Sequence, residues 1–222
     1  MPPQSISTKG SRAYKSELRQ QQAEQTRLRV VEAAGELFAA DGYARTTLAK
    51  IAAAASVSPE TVQGHGPKAA LLIAALEYAA VGVTGEENVL NLEIGHKILA
   101  IDDFEEAIDF VVDTHVEVHE RTALLALALM GAAASDPELD RYRSELLDSV
   151  TSQFRRTLGV YRDRGWVRAD VAFEELVETA AILGGVETYL RLVHRNGWSP
   201  LAYRAWIRRM LVETVLVAPQ SN

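Results

Sequence analysis

Residues 46–68, TTLAKIAAAASVSPETVQGHGPK, constrain the fold more than any other stretch of this 222-residue chain. Apolar residues at helical spacing predict a short helix that contains Leu48, Ile51 and Ala55. Val57 and Val62 then anchor a second short helix after a tight turn. The pattern is typical of a helix-turn-helix unit.

The ends of both helices are marked by capping residues. Thr46 is suited to cap the first helix, and Ser58 followed by Pro59 marks the start of the second. The second helix is too short and too polar to be a core element. Its polar side chains would reach outward, as in a helix that enters the major groove of DNA.

Charge divides the chain into two parts. Residues 1–68 hold nine Lys/Arg and six Asp/Glu, which is a net charge of +3. The remaining residues carry a net charge of -10, so the whole chain has a net charge of -7. Only the N-terminal part therefore suits a phosphate backbone.

Composition excludes several other classes of protein. The absence of cysteine rules out disulfides, thiol catalysis and thiolate metal sites. The longest strongly apolar run, residues 123–134, is well below the ~20 residues of a membrane-spanning helix. The N-terminus has no apolar signal core, so we expect a cytoplasmic protein.

Three domains are predicted along the chain. Residues 1–24 have almost no apolar side chains, so we expect a mobile basic tail that either touches DNA or is simply solvated. Residues 25–68 form the helix-turn-helix domain, whose first helix runs from about Thr26 to Ala40. Residues 69–222 form a larger helical domain for ligand binding and dimerisation.

Within the larger domain, residues 82–102 predict a loop with a helical turn or more. A long helix follows from Asp103, and another opens at Asp136-Pro137 and ends at Gly165.

Two last helices, about 173–194 and 200–217, are joined by a short turn and predict an antiparallel hairpin. Gly184-Gly185 in mid-helix is costly and favours close approach of another helix. We expect this hairpin to pack against its copy in a second subunit. The predicted interface residues are Leu176, Ala180, Gly184, Ile207, Met210 and Leu211.

Residues 32–72 resemble the N-terminal DNA-binding domain of the TetR family of bacterial transcriptional repressors. The sequence AAGELFAADGYARTTLAKIAAAASVSPETV, followed by a lysine and a Leu-Leu pair, matches the order and spacing of that family. The resemblance implies an all-α homodimer that binds a palindromic operator. It further implies that a small molecule in the C-terminal domain releases the operator.

The chain also departs from the family pattern. Gln63, His65-Gly66 and Lys68 stand where the family commonly has a tyrosine, a His-Phe pair and a lysine, and the segment is one residue shorter. Ser56 replaces a common turn glycine. These departures motivate an alternative, a TetR-like helical ligand-binding or protein-interaction module with weak or lost operator binding.

Residues for DNA contact are chosen at helix starts and on the second helix of the unit. At helix starts, backbone amides and side chains can bind phosphate. Glu60 is ambiguous, because a carboxylate there also complements the helix dipole. The predicted DNA-binding residues are Thr47, Ser58, Glu60, Thr61, Gln63, His65 and Lys68.

Residues for ligand contact are chosen from the apolar stripes of the two long helices, since ligand cavities in helical domains are mostly apolar. The predicted ligand-binding residues are Phe104, Ile108, Val111, His115, Tyr142 and Phe154. His115 and His119 lie one helical turn apart and could chelate a metal, but no third ligand is apparent. No cofactor is predicted.

An enzyme is the main competing class. No Gly-rich phosphate loop or nucleophile elbow is present, and GHGPK at residues 64–68 lacks the spacing of a P-loop. We therefore predict no enzymatic activity. The expected partners are double-stranded operator DNA, a small apolar effector and a second copy of the chain, with no membrane.

Overall fold

The computed structural model describes residues 9–81 and 93–219, which are almost entirely helical. No strand occurs in these two segments, where the only extended pairing is an isolated bridge between Val167 and Leu216. The predicted all-α class is confirmed. The helices are α1 Lys9–Asp41, α2 Leu48–Ala55, α3 Pro59–Gly64, α4 Lys68–Val81, α5 Glu93–Ala100, α6 Phe104–Ala133, α7 Pro137–Asp163, α8 Phe173–Leu183, α9 Val186–Tyr189 and α10 Pro200–Thr214, with a π-helical turn at Leu190–Arg195.

The first helix begins at Lys9, well before the predicted start near Thr26. Residues 1–8 lie outside the described part of the chain. Residues 9–24 of the predicted mobile basic tail are helical, because the Gln, Ala, Glu, Leu and Arg residues of this segment are good helix formers. Residues 18–25 are exposed along this helix.

Part of the predicted loop at residues 82–102 is helical, since α5 covers Glu93–Ala100. Residues 82–92 of that prediction lie outside the described segments.

The helix predicted over residues 173–194 is broken at its two glycines. Gly184 ends α8, and Gly185 is extended with φ -70° and ψ 149° before α9 begins. A Cβ on Gly184 would lie 2.5 Å from Cζ of Phe154 in α7. The expected close approach of another helix is therefore confirmed, but the same glycines also end the helix.

Two hydrophobic clusters form the core, and α6 contributes to both. One cluster joins α1–α4 to the C-terminal half of α6 through residues such as Phe38, Ile51 and Leu129. The other joins the N-terminal half of α6 to α7, α8 and α10 through residues such as Ile108 and Tyr203. Movement of α6 would therefore change the packing of both clusters.

Charged side chains also attach α10 to α6. Arg204 pairs with Asp109 and Asp113, and Arg208 pairs with Glu105 and Asp109.

Candidate functional site

The first helix of the helix-turn-helix unit is capped by Thr47. Its hydroxyl accepts a hydrogen bond from the Lys50 amide at 3.2 Å. Thr46, which the sequence favoured as the cap, is completely buried and donates instead to the carbonyls of Leu37 and Gly42. The correction moves the cap by one residue, and Thr46 secures the α1–α2 connection.

The turn between α2 and α3 is closed without glycine. Ser56 takes a left-handed conformation, with φ 55° and ψ 45°, and its amide bonds to the end of α2. Ser58 then caps α3, accepting from the Thr61 amide at 3.2 Å. Val62 is fully buried beneath α3 and fixes the inner face of the helix.

The outer face of α3 carries the polar side chains predicted for DNA. Ser58, Glu60 and Gln63 are exposed, whereas Thr61 and His65 are half-buried. A backbone amide at the helix start, and then Ser58, hold the pKa of Glu60 below its ordinary value. Glu60 is therefore an anion that favours the helix start and repels a phosphate placed there.

Lys68 is placed differently from the prediction. Its Nζ donates to the carbonyls of Tyr43 and Thr46 at 3.0 and 3.2 Å and lies 4.0 Å from the centre of the Tyr43 ring. The ammonium group thus closes the α1–α2 connection from inside. The position at a helix start suggested a phosphate contact, but these two carbonyls compete for the same donors.

Two exposed basic residues of the N-terminal part were missed by sequence reasoning. Arg45 lies in the α1–α2 connection and Lys50 in α2, where it pairs with Asp41 at 2.9 Å. The positive balance of residues 1–68 was the signal that could have singled them out.

The predicted ligand residues do not all come together. Phe104 and Ile108 are buried core, and Phe104 packs edge-on against Trp166. Tyr142 packs against the N-terminal cluster instead. The structure therefore separates Tyr142 from the rest of the predicted pocket.

His115 and Phe154 do meet, with ring centres 5.1 Å apart. Val111 belongs to the same region, because His115 Nδ1 donates to the Val111 carbonyl at 2.9 Å. Burial lowers the pKa of His115, so that its ring is neutral near pH 7.

His119 lies next to His115 along α6, with ring centres 6.1 Å apart. Burial, and then the neighbouring His115, lower the pKa of His119 to about 3. No group of three His, Asp or Glu side chains that could hold a metal occurs within residues 9–81 and 93–219.

These histidines are part of a row of aromatic rings that runs through the second cluster. Neighbouring ring centres are 5.0–6.3 Å apart along the row. We call it the aromatic row; it consists of Phe154, His115, His119, Tyr189, His194, Tyr203, Trp206 and Trp198.

Of the residues in the aromatic row, only His115 and Phe154, at one end, were predicted as ligand-binding residues from the sequence. Tyr189 and Tyr203 come from different helices, so their meeting with His119 has no periodic signal in the sequence.

Two clefts on the surface of the described residues lie away from the aromatic row. One, of about 530 Å³, lies between the end of α1 and α6 and includes Tyr43 and Leu127. The other, of about 900 Å³, lies near Arg162 and Leu216. Neither contains a predicted ligand residue.

Comparison with known proteins agrees with this geometry at the N-terminus. Residues 30–75 match the family model described as "Bacterial regulatory proteins, tetR family". Residues 30–75 are therefore similar to the N-terminal domain of the TetR family. No curated protein sequence matches the chain significantly.

Solved structures extend the likeness to the whole TetR fold. A candidate transcriptional regulator from Saccharomonospora viridis in complex with choline has a TM-score of 0.70 at 17% identity, covering 88% of this chain and 100% of that one. A TetR transcriptional regulator from Chloroflexus aurantiacus has a TM-score of 0.65 at 22% identity, with 89% and 100% covered. The TetR-family regulator PfmR from Thermus thermophilus has a TM-score of 0.61 at 22% identity, with 82% and 96% covered.

Gly66, a departure from the TetR pattern, has a backbone reason. Its φ is +119°, where a side chain is strained, and an added Cβ would lie 3.3 Å from that of Ala70. The shortened segment between α3 and α4 therefore requires glycine at this position.

Most of the predicted dimer residues, which belong to α8 and α10, are buried in the core of their own chain. Leu176, Ala180, Ile207 and Leu211 are buried in the second cluster, so this face is not available to a second copy. Gly184 is also buried, and Met210 is half-buried.

The prediction of the dimer face is corrected, because the apolar stripe of each helix turns toward its own core. The opposite faces of α8 and α10 expose Ile182 and Leu201, at 68% and 74%. Within the described segments, no helix is long and apolar enough to cross a membrane.

Proposed function

We propose that this protein is a cytoplasmic, ligand-responsive transcriptional repressor of the TetR type that binds a palindromic operator as a homodimer. The observation that carries the proposal is the completed helix-turn-helix unit. Both short helices are capped, Val62 anchors α3, and the polar face with Gln63 remains exposed. A polar helix face held by a buried anchor is suited to base edges in the major groove.

Charge supports phosphate contact around that face. Arg45 and Lys50 are exposed before and on α2, while the acidic excess lies in the C-terminal part of the chain. This distribution directs DNA toward the N-terminal unit.

Dimerisation would use the outward faces of α8 and α10. Ile182 and Leu201 are among the most exposed large apolar residues that the structure describes. Ala202 and Ala205 are exposed on the same helix as Leu201, and small residues let two helices approach closely. A two-fold dimer would present two copies of α3 to half-sites about 34 Å or more apart.

Two contacts would carry a change in the larger domain to the DNA-binding unit. Arg121 of α6 donates to the last carbonyls of α4, those of Ala79 and Ala80, at 2.9 and 3.2 Å. The Tyr43 hydroxyl donates to Asp136 at the start of α7 at 3.1 Å. A small molecule that displaced α6 would thus shift α4 and the unit attached to it.

The effector is proposed to be a small, largely apolar molecule that binds the second cluster. The structural neighbour from Saccharomonospora viridis holds choline, which supports small-molecule binding in this fold. A ligand shifts the protein only by its difference in affinity for the two states.

The test is a fluorescence-anisotropy titration against the DNA upstream of the protein's own gene, at two salt concentrations, with an unrelated duplex as control. We expect tight, salt-sensitive binding that prefers the upstream DNA. Equal, weak binding to both duplexes would favour the alternative of a helical binding module without operator recognition. Light scattering that shows a monomer at micromolar concentration would contradict the dimer.

A further inference from the structure

Two buried polar atoms in the aromatic row have no hydrogen-bond partner among residues 9–81 and 93–219. They are Nδ1 of His119 and the hydroxyl oxygen of Tyr203. His119 is 7% exposed and Tyr203 is fully buried. Buried polar groups are nearly always paired, so each such exception requires a reason.

The two atoms belong to rings that both neighbour the ring of Tyr189. The centre of the Tyr189 ring lies 5.4 Å from that of His119 and 5.0 Å from that of Tyr203. His119 comes from α6 and Tyr203 from α10, so two helices bring the pair to the same short segment. Together they offer two hydrogen-bonding groups beside one aromatic side chain.

The segment that carries Tyr189 is an irregular helix. It starts at the extended Gly185, continues as the four-residue α9 and becomes the π-helical turn Leu190–Arg195. Interruptions of this kind in a helix are frequent at functional sites. A short segment between a glycine pair and a π turn can move away from α6 at less cost than a continuous helix.

The charge of the row selects the class of ligand. His119 is neutral near pH 7, and Tyr203 has its pKa raised by burial, so both are uncharged donors or acceptors. Burial, and then the carboxylate of Glu120, raise the pKa of Tyr189, and Glu120 itself is exposed to solvent. A buried charged ligand would lack a paired counter-charge in the row.

We propose that the effector of this protein is a neutral, elongated molecule with an apolar or aromatic body, whose two polar ends bond to His119 Nδ1 and the Tyr203 hydroxyl beside Tyr189. That the ligand acts as an effector rests on the proposed function. The binding site itself is argued from the geometry of the aromatic row alone. The ligand would separate the Tyr189 segment from α6, and α6 also holds α4 through Arg121.

The experiment uses a graded series of probes on the full chain labelled with ¹³C-histidine. The probes are 4-hydroxybenzyl alcohol with two hydroxyls, 4-methylphenol with one, p-xylene with none, and tetramethylammonium as a cation. The His119 signal is assigned by its loss in His119→Phe. We expect affinity to fall about fivefold or more for each hydroxyl removed, with no shift by tetramethylammonium.

Variants locate the two hydrogen bonds. Tyr203→Phe, followed through the His119 signal, and His119→Phe, followed through the signal of the neighbouring His115, should each remove one step of the series, so that 4-hydroxybenzyl alcohol binds about as weakly as 4-methylphenol. Tyr161→Phe is the matched control, because Tyr161 also has a buried hydroxyl without a partner but packs on Trp166 outside the row. It should leave the whole series unchanged.

Equal binding of all three neutral probes, binding of tetramethylammonium alone, or no binding at millimolar concentration would overturn the proposal. Loss of the series in Tyr161→Phe would do the same. The anisotropy assay separates failure of this site from failure of the proposed function. If the probes bind the aromatic row but the protein does not prefer its upstream DNA, the binding site is supported and the role as a regulator is contradicted.

Discussion

The polar groups inside the helix-turn-helix unit are paired, whereas two of those in the aromatic row are not. In the unit, the buried Thr46 hydroxyl and the half-buried Lys68 ammonium are each bonded to two backbone carbonyls. In the row, His119 Nδ1 and the Tyr203 hydroxyl have no partner among the described residues. This difference is what we expect if the unit reads a fixed partner and the row completes its hydrogen bonds with a bound molecule.

The comparison is tested first by removing a polar group from the unit. Lys68→Met should lower the free energy of unfolding by about 2–3 kcal/mol, because two carbonyls lose a charged donor. Urea denaturation measures the change. The matched control is Lys50→Met, which removes only an exposed pair with Asp41 and should cost much less. Equal effects of the two variants would contradict the inward role of Lys68.

The aromatic row should make stability depend on pH. The pKa of His119 is lowered from 6.5 to about 3 in the folded protein, so the unfolded chain binds a proton first as pH falls. The contribution of His119 is therefore complete above about pH 6.5 and is lost progressively toward pH 3.

Between pH 7.5 and 5.5 this loss should be about 1.4 kcal/mol. His119→Phe should remove that part and leave the dependence due to His115, whose pKa is also lowered by burial. Urea denaturation at the two pH values measures it. An unchanged pH dependence in the variant would show that His119 is not held neutral.

Removal of an unpartnered hydroxyl should do the opposite of Lys68→Met. Tyr203→Phe keeps the ring and removes a buried oxygen without a partner, so it should leave stability unchanged or raise it by up to about 1 kcal/mol. Thermal or urea unfolding decides the sign. A loss of stability comparable to that of Lys68→Met would mean that the Tyr203 hydroxyl is hydrogen-bonded within the protein, as the Lys68 ammonium is.

The smallest effect is expected in the turn of the unit. Ser56 has φ 55°, a conformation that costs residues with a Cβ more than glycine. Ser56→Gly should stabilise the protein by less than about 1 kcal/mol, since the freedom of glycine in the unfolded chain offsets part of the gain. A clear loss of stability would show that the serine is held by contacts that outweigh this strain.

The two regions also differ in how well the sequence predicts them. The helix-turn-helix unit depends on local signals, and Ser58, Pro59 and the buried Val62 lie where the spacing predicts. The inward bonds of Lys68 were not predicted, because the carbonyls that bind it are more than twenty positions earlier in the chain and leave no periodic signal.

The aromatic row depends on contacts between distant helices. His119 and Tyr189 are far apart in sequence, and the break at Gly184 determines where Tyr189 lies. Hydrophobic periodicity correctly identified the inward stripes of α8 and α10. It could not tell whether those stripes face the chain's own core or a second copy.

The proposed function is tested most directly by selecting bound sequences from a pool of random DNA duplexes with the full-length protein. The control is a variant with Thr61→Ala and Gln63→Ala, which removes two polar side chains from α3 without touching the buried Val62. We predict that the wild type enriches a two-fold symmetric sequence with half-sites about one helical turn or more apart, and that the variant loses this enrichment. Recovery of the same unselected pool with both proteins would contradict the claim that this unit reads DNA.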